Sequence, residues 1–188
     1  DLKAADFAAR LSAVQRALYL LFNEGYHGAS AESAVRAELC QEALRLVTLL
    51  VGHPLTATSS SYALAALLHL HVSRLPARVD AAGNLSALFD QDRSRWDLRL
   101  VEKGLCLLNQ SATGSEVTEY HVEAAIAAVH ANASRAEETD WKEIVGLYDT
   151  LMVLRQSPVV ALNRAIAVAQ SEGAERGLEE IQAIAGAA

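Results

Sequence analysis

Apolar residues recur every three or four positions along most of the chain, which is the spacing of one face of an α-helix. The first such stripe covers 11–22, and Gly25 is placed to end its helix. The second covers 35–50 and closes at Gly52. A third, over 59–73, is apolar on almost every side. We therefore predict that this third helix lies at the centre of the fold.

Five further helices follow a long connection over 74–91. The N-terminus of one of them can be predicted, because Asp140 and Glu143 have the spacing of a capping box. Another begins with Ser157 as the N-cap and Pro158 at the first helical position. The predicted helices begin near Trp96, Tyr120, Asp140, Ser157 and Glu175.

No alternation of the β-strand kind competes with the helical spacing, so the predicted fold class is all-α. Short turns favour antiparallel helix pairs stacked as an array like that of tetratricopeptide repeats (TPR-like). Ala165, Gly177 and Ile181 have the spacing of such a repeat, whose small residues let two helices approach closely. Trp141 and Tyr148 have its seven-residue interval between Trp and Tyr. We predict a single helical domain over 1–188.

Composition and charge exclude several functions. The 188 residues are 52% hydrophobic, which is enough for a core without a disulfide or metal staple. The net charge is −7, so the surface repels phosphate backbones and should bind nucleic acid poorly. No stretch reaches the roughly 18 apolar residues of a membrane span, and no signal peptide is visible. We expect a cytoplasmic protein with no membrane partner. Because the chain begins at Asp1, we interpret it as a segment of a longer protein.

Catalytic motifs are missing from the sequence. The six histidines form no HExxH, and neither a GxSxG elbow nor a glycine-rich phosphate loop is present. Cys40 and Cys106 stand apart in helical patterns, so we predict that both are small core hydrophobes in a reducing cytosol. We therefore expect no enzyme activity, no cofactor and no metal.

The segment Asp90-Gln91-Asp92-Arg93 is the most polar feature beside the apolar stripes, and three interpretations remain open. Two carboxylates two residues apart could hold a divalent cation through oxygen. Alternatively, Asp92 or Ser94 caps the helix that begins near Trp96. A third possibility is an ion-pair hub in which Arg93 or Arg95 bridges to another helix. We favour the cap and the hub over the metal.

The long connection also carries two arginines, Arg74 and Arg78, on either side of Pro76. They lie near three carboxylates in sequence, which predicts local salt bridges. The carboxylates belong to Asp80, Asp90 and Asp92.

Several segments together resemble one known family. They are 20–26 (LLFNEGY), 76–80 (PARVD), 90–97 (DQDRSRWD), 124–131 (AAIAAVHA), 139–141 (TDW) and 157–165 (SPVVALNRA). In this order they resemble the C-terminal extension of a group of ECF-type RNA polymerase sigma factors, over nearly the whole chain. Glu123 departs from the Gln expected there.

The resemblance implies a regulatory extension, TPR-like in fold, that modulates transcription initiation through protein contacts. Its partners would be the sigma regions of the same full-length protein and RNA polymerase. Sigma regions 2 and 4 are absent from this chain, so DNA would be bound only through those missing N-terminal regions. The resemblance marks as contact or scaffold candidates Asn23, Glu24, Gly25, Tyr26, Arg78, Asp90, Gln91, Asp92, Arg93, Trp96, Asp140, Trp141, Asn163 and Arg164.

Asp90, Asp92 and Arg93 are expected to pin the long connection against the helices. Two other function classes stay open. One is a free-standing helical-repeat scaffold that binds peptides or proteins. The other is a small helical metalloenzyme that uses Asp90 and Asp92.

Overall fold

A computed structural model describes residues 4–27, 35–80 and 84–186 of the chain. Within these residues the fold is all-α, as predicted, and the only β-pairing is an isolated antiparallel bridge between Val79 and Leu85. The helices are α1 (Ala4–His27), α2 (Ala37–Val51), α3 (Ser59–Val72), α4 (Leu75–Arg78), α5 (Leu98–Ser111), α6 (Glu119–Asn132), α7 (Trp141–Leu154), α8 (Pro158–Glu172) and α9 (Ala174–Gly186).

The chain divides into two compact units, Asp1–Glu116 and Val117–Ala188. In the first unit α3 is the central helix and packs against α1, α2 and α5. Every residue of 63–70 is buried, which the apolar composition on all sides of this helix predicted. That the two units form a single domain over 1–188 stays a prediction.

The close packing of α1 and α2 depends on Gly25. The prediction that Gly25 ends the first helix is wrong, because α1 continues to His27. A Cβ at this position would lie 2.8 Å from the carbonyl oxygen of Arg36 and 2.9 Å from Cys40 Sγ. The glycine is therefore required by the approach of α2 rather than by a change of backbone direction.

The start of α5 differs from the prediction. Asp97 caps this helix, and its Oδ1 accepts from the backbone N–H groups of Arg99 and Leu100 at 3.0 and 3.2 Å. Asp92 instead caps the preceding 3-10 turn (Arg93–Arg95), where it accepts from Ser94. The 3-10 turn and α5 therefore each have an aspartate of their own as the N-cap.

In the second unit each of the helices α6 to α9 packs against the next. Asp140 caps α7 as predicted, and its Oδ1 accepts from the N–H of Glu143 at 2.9 Å. Pro158 begins α8 as predicted, but Ser157 makes no side-chain capping bond. The core of this unit consists of Val122, Ile126, Val129, Ile144, Leu151, Val160 and Ala167.

The α8–α9 pair shows the close approach that the repeat spacing predicted. A Cβ at Gly177 would lie 2.4 Å from Ala169 Cβ and 3.0 Å from the carbonyl oxygen of Ala165. Small residues on both helices therefore bring the two backbones together.

Cys40 is fully buried as predicted, and burial raises the pKa of its thiol to about 11. The prediction for Cys106 is wrong, because it lies on the exposed face of α5. Among the described helices, none combines the length and the apolar character needed to cross a bilayer.

Candidate functional site

The end of α1 is held against the end of α4 by Tyr26 and Arg78. The guanidinium of Arg78 lies 3.8 Å from the centre of the Tyr26 ring. The same side chain donates from Nε and Nη2 to the Tyr26 carbonyl oxygen, at 3.3 and 3.0 Å. Arg78 thus satisfies a carbonyl at the end of α1 and stacks on the aromatic face beside it.

Aromatic rings surround Tyr26, which is buried at 2% exposure. Phe22 lies one helical turn earlier on α1, with ring centres 5.3 Å apart. His71 of α3 lies 5.1 Å from Tyr26, and His27 meets the ring edge-on at 4.9 Å. The Tyr26 ring is therefore fixed by packing on several sides.

A second stack contains Arg74, Trp96 and Arg93. The guanidinium groups of Arg74 and Arg93 lie 5.3 and 5.1 Å from the Trp96 ring. Arg74 and Trp96 are buried, at 8% and 5% exposure. Gln91 joins this stack to the connection, because its Oε1 accepts from Arg74 Nε at 3.3 Å and its Nε2 donates to the Ser86 carbonyl at 3.1 Å.

Several arginine side chains lie close enough in this region for their positive charges to act on one another. Burial lowers the pKa of Arg74, the phenol of Tyr26 opposes that shift, and the charges of Arg78 and Arg93 add to it. Burial also lowers the pKa of His27, with further lowering by Arg78 and Arg74. Both shifts arise first from burial, which disfavours the charged form, and only then from the neighbouring arginine charges. We call Tyr26, Arg74, Arg78 and Trp96 the arginine–aromatic cluster.

The predicted salt bridges to Asp90 and Asp92 are wrong for the described part of the chain. Both aspartates are exposed, and neither forms an ion pair with a described residue. Asp92 accepts from the hydroxyl of Ser94 at 2.6 Å. Asp80 accepts from the backbone N–H of Asn84 at 2.8 Å. Gln91, a neutral residue, therefore does the pinning that we expected of the carboxylates.

The other predicted residues of the first unit lie beside the cluster. Glu24 forms an ion pair with Arg36, whose backbone N–H donates to the Gly25 carbonyl at 2.9 Å. Asn23 is partly buried on α1. These contacts fix the junction of α1 and α2. Within the described residues no three His, Cys, Asp or Glu side chains are grouped so that they could hold a metal ion.

In the second unit Arg164 joins three helices. From α8 its Nε donates to Asp149 of α7 and its Nη1 to Glu180 of α9, both at 2.6 Å. The bond with Asp149 is the main cause that raises the pKa of Arg164. Trp141 meets His130 edge-on, with ring centres 5.2 Å apart. The resemblance marked Arg164 and Trp141 as contact or scaffold candidates, and their contacts within the second unit are those of scaffold residues.

An apolar face of α8 is exposed to solvent. Val159, Leu162 and Ile166 are 65%, 45% and 45% exposed. With the exposed Asn163 they occupy positions i, i+3, i+4 and i+7, so they share one side of the helix. Asn163 is therefore the one residue of the predicted set on this face.

Sequence reasoning missed Arg74 as a member of the cluster. An arginine in a polar connection is usually solvated, and nothing local marks this one for burial. The one available clue is helical spacing, because His71, Arg74 and Arg78 are placed to share a face. Their partners Tyr26 and Trp96 lie far away in sequence, so the clue does not identify what they contact.

Comparison with known proteins gives a family and one curated relative. A family model described as "Family of unknown function (DUF6596)" matches residues 10–112, a segment that lies within the first unit. An uncharacterized protein of Rhizobium meliloti (strain 1021) is 44% identical over 179 residues. That match covers 95% of this chain and 42% of the relative, so the chain spans less than half of the relative's length. No solved structure matches the chain.

Proposed function

The chain belongs to the DUF6596 family, and from that premise we propose that it is the regulatory extension of an ECF-type sigma factor, which acts through contacts with the sigma regions or RNA polymerase. In this proposal the fold is TPR-like, the protein is cytoplasmic, and the chain itself makes and breaks no bonds. DNA is bound by regions that precede the extension.

One observation carries the proposal: three separate segments of the resemblance meet in one place. Tyr26 comes from the first segment, Arg78 from the second, and Trp96 from the third. Arg78 contacts Tyr26 directly, and Arg74, one turn before Arg78, contacts Trp96. The segments that the resemblance singled out therefore pack together in the fold, which supports the proposal that they act as one unit.

Three further observations support the proposal. The exposed side of α8 formed by Val159, Leu162, Asn163 and Ile166 belongs largely to the last segment of the resemblance. Exposed apolar patches of this kind are typical of protein contacts. The acidic net charge of −7 disfavours direct DNA binding. The curated relative is more than twice as long as the matched segment, which leaves room for sigma regions.

The test is transcription in vitro with the full-length protein and RNA polymerase. Val159→Ser together with Leu162→Ser should change the transcript yield, because it removes apolar contact area on α8. Leu55→Ser is the matched control, since Leu55 is also exposed but lies between α2 and α3. Binding of the full-length protein to RNA polymerase is measured alongside.

Two results would contradict the proposal. One is a full-length protein that neither binds RNA polymerase nor supports transcription. The other is unchanged transcription after deletion of this chain from the full-length protein. A protein that binds peptides but not RNA polymerase would favour the free-standing scaffold instead.

A further inference from the structure

The arginine–aromatic cluster holds more hydrogen-bond donors than its described neighbours accept. Tyr26 Oη and Trp96 Nε1 are buried and have no hydrogen-bond partner among the described residues. Beside them, Nε of the buried Arg74 donates to Gln91 Oε1 at a long 3.3 Å. Buried polar groups are nearly always paired in folded proteins, so this deficit of acceptors calls for an explanation.

The positive charge of the arginine–aromatic cluster is not balanced by a carboxylate of the described residues. Arg74 is more than nine-tenths buried, and no carboxylate of the described residues pairs with it. Arg78 stacks on the Tyr26 ring and donates to the neutral carbonyl of the same residue. A buried cation without a counterion is costly, and a second cation beside it adds to that cost. A ligand that suits these donors and this charge is both a hydrogen-bond acceptor and negative.

We propose that the arginine–aromatic cluster binds a compact oxyanion, a carboxylate or a phosphate group. Arginine presents a planar fork of donors that matches such groups in two-point contacts. The Tyr26 hydroxyl and the Trp96 indole N–H are the neutral donors that complete the set. A water molecule would satisfy the donors but would leave the charge of Arg74 without a counterion.

Binding of an oxyanion by the cluster does not depend on the proposed function. The oxyanion has two possible sources, a small phosphorylated ligand or the acidic side chain of a partner protein. The two sources differ in the geometry of the anion, so inorganic phosphate and acetate serve as separate probes. Failure of transcription and failure of anion binding are read in different assays and are therefore distinguishable.

The experiment uses Trp96 as its own reporter. The chain has two tryptophans, so Trp141→Phe leaves Trp96 as the sole source of indole fluorescence. The protein is titrated with sodium phosphate and with sodium acetate, and sodium chloride of equal ionic strength is the control. We expect a saturable change in Trp96 emission with phosphate or acetate and none with chloride. A change with acetate alone assigns a carboxylate, and a change with phosphate alone assigns a phosphorylated ligand.

Variants of the cluster separate binding from packing. Arg74→Gln should lower the affinity for the anion by at least about tenfold, which is the effect of losing a charge-assisted hydrogen bond. Arg99→Gln is the control, because Arg99 is an exposed arginine on α5. Tyr26→Phe removes only the hydroxyl group. It should therefore lower the affinity for the anion by about threefold without lowering the stability of the fold in sodium chloride.

Either of two results would overturn the inference. The first is an identical Trp96 response in chloride, which would show screening rather than binding. The second is full affinity retained in Arg74→Gln. If circular dichroism shows that Arg74→Gln does not fold, Tyr26→Phe decides the matter, and unchanged anion affinity in that variant refutes the site.

Discussion

Gly25 on α1 and Cys40 on α2 lie so close that a Cβ on the glycine would come within 2.9 Å of the Cys40 sulfur. The same Cβ would lie 2.8 Å from the backbone carbonyl oxygen of Arg36, which cannot rotate away. We therefore expect Gly25→Ala to lower the free energy of unfolding by about 1–3 kcal/mol through overpacking. Urea denaturation followed by circular dichroism measures the change.

Gly146 provides the matched control for this prediction. It also lies inside a helix, α7, but a Cβ there meets nothing within 4 Å. Gly146→Ala should raise the free energy of unfolding by about 1 kcal/mol, because alanine is the better helix former. Equal effects of the two substitutions would show that α1 and α2 are not held at this spacing.

Gly25 also shows where sequence reasoning reaches its limit. A glycine after an amphipathic stripe is typical of a helix end, and local pattern offers no other interpretation. The actual reason for the glycine is the backbone of α2, which the sequence does not place in space. The central position of α3 could be predicted, because a helix that is apolar on every side has to be covered on every side.

The same limit separates the predicted from the missed residues of the cluster. Tyr26, Arg78 and Trp96 were marked by the resemblance. In the structure Arg78 stacks on Tyr26, and Arg74, one turn before Arg78, stacks on Trp96. Arg74 was expected to pair with nearby aspartates, since ion pairs are the common partners of arginine. Its burial against Trp96 depends on how the connection folds back on α3, which neither periodicity nor charge pattern encodes.

A buried polar contact between α1 and α3 gives a second prediction. Gln15 Nε2 donates to Ser61 Oγ at 2.8 Å, and both side chains are buried. Ser61→Ala should lower the free energy of unfolding by about 1–3 kcal/mol, because the glutamine amide loses this acceptor while it stays buried. The double variant Gln15→Leu with Ser61→Ala should recover part of that loss. A double variant no more stable than Ser61→Ala would contradict this account.

Arg164 should stabilise the second unit through two unequal ion pairs. Its partner Glu180 has a side chain only 29% exposed, whereas the side chain of Asp149 is 56% exposed. The bond with Asp149 shifts the pKa of Arg164 more, but water screens this exposed pair more strongly. Double-mutant cycles should therefore give a coupling of about 1 kcal/mol with Glu180 and a smaller one with Asp149. Arg135 and Glu138, an exposed pair, supply the control cycle. A larger coupling for Asp149 would contradict the argument from exposure.

His69 on α3 should make stability depend on pH. Burial, the largest cause, lowers its pKa from the ordinary value of 6.5, although its Nδ1 lies 2.7 Å from the Ala65 carbonyl oxygen. Since the folded state disfavours the proton, the unfolded state binds more protons as the pH falls below 6.5. Stability should therefore be full above that pH and should decline as the pH is lowered towards the pKa of the folded protein.

The measurement is the free energy of urea unfolding between about pH 8 and about pH 5, a range that brackets an ordinary histidine pKa. His69→Gln should flatten the acid side of that curve, because glutamine has no proton to gain. His53→Gln is the control, since His53 is exposed between α2 and α3. Because the two substitutions remove the same chemical group, a difference in slope reports the burial of His69. A slope that is unchanged in His69→Gln, or that rises towards acid in the parent chain, would be incompatible with a buried neutral imidazole at this position.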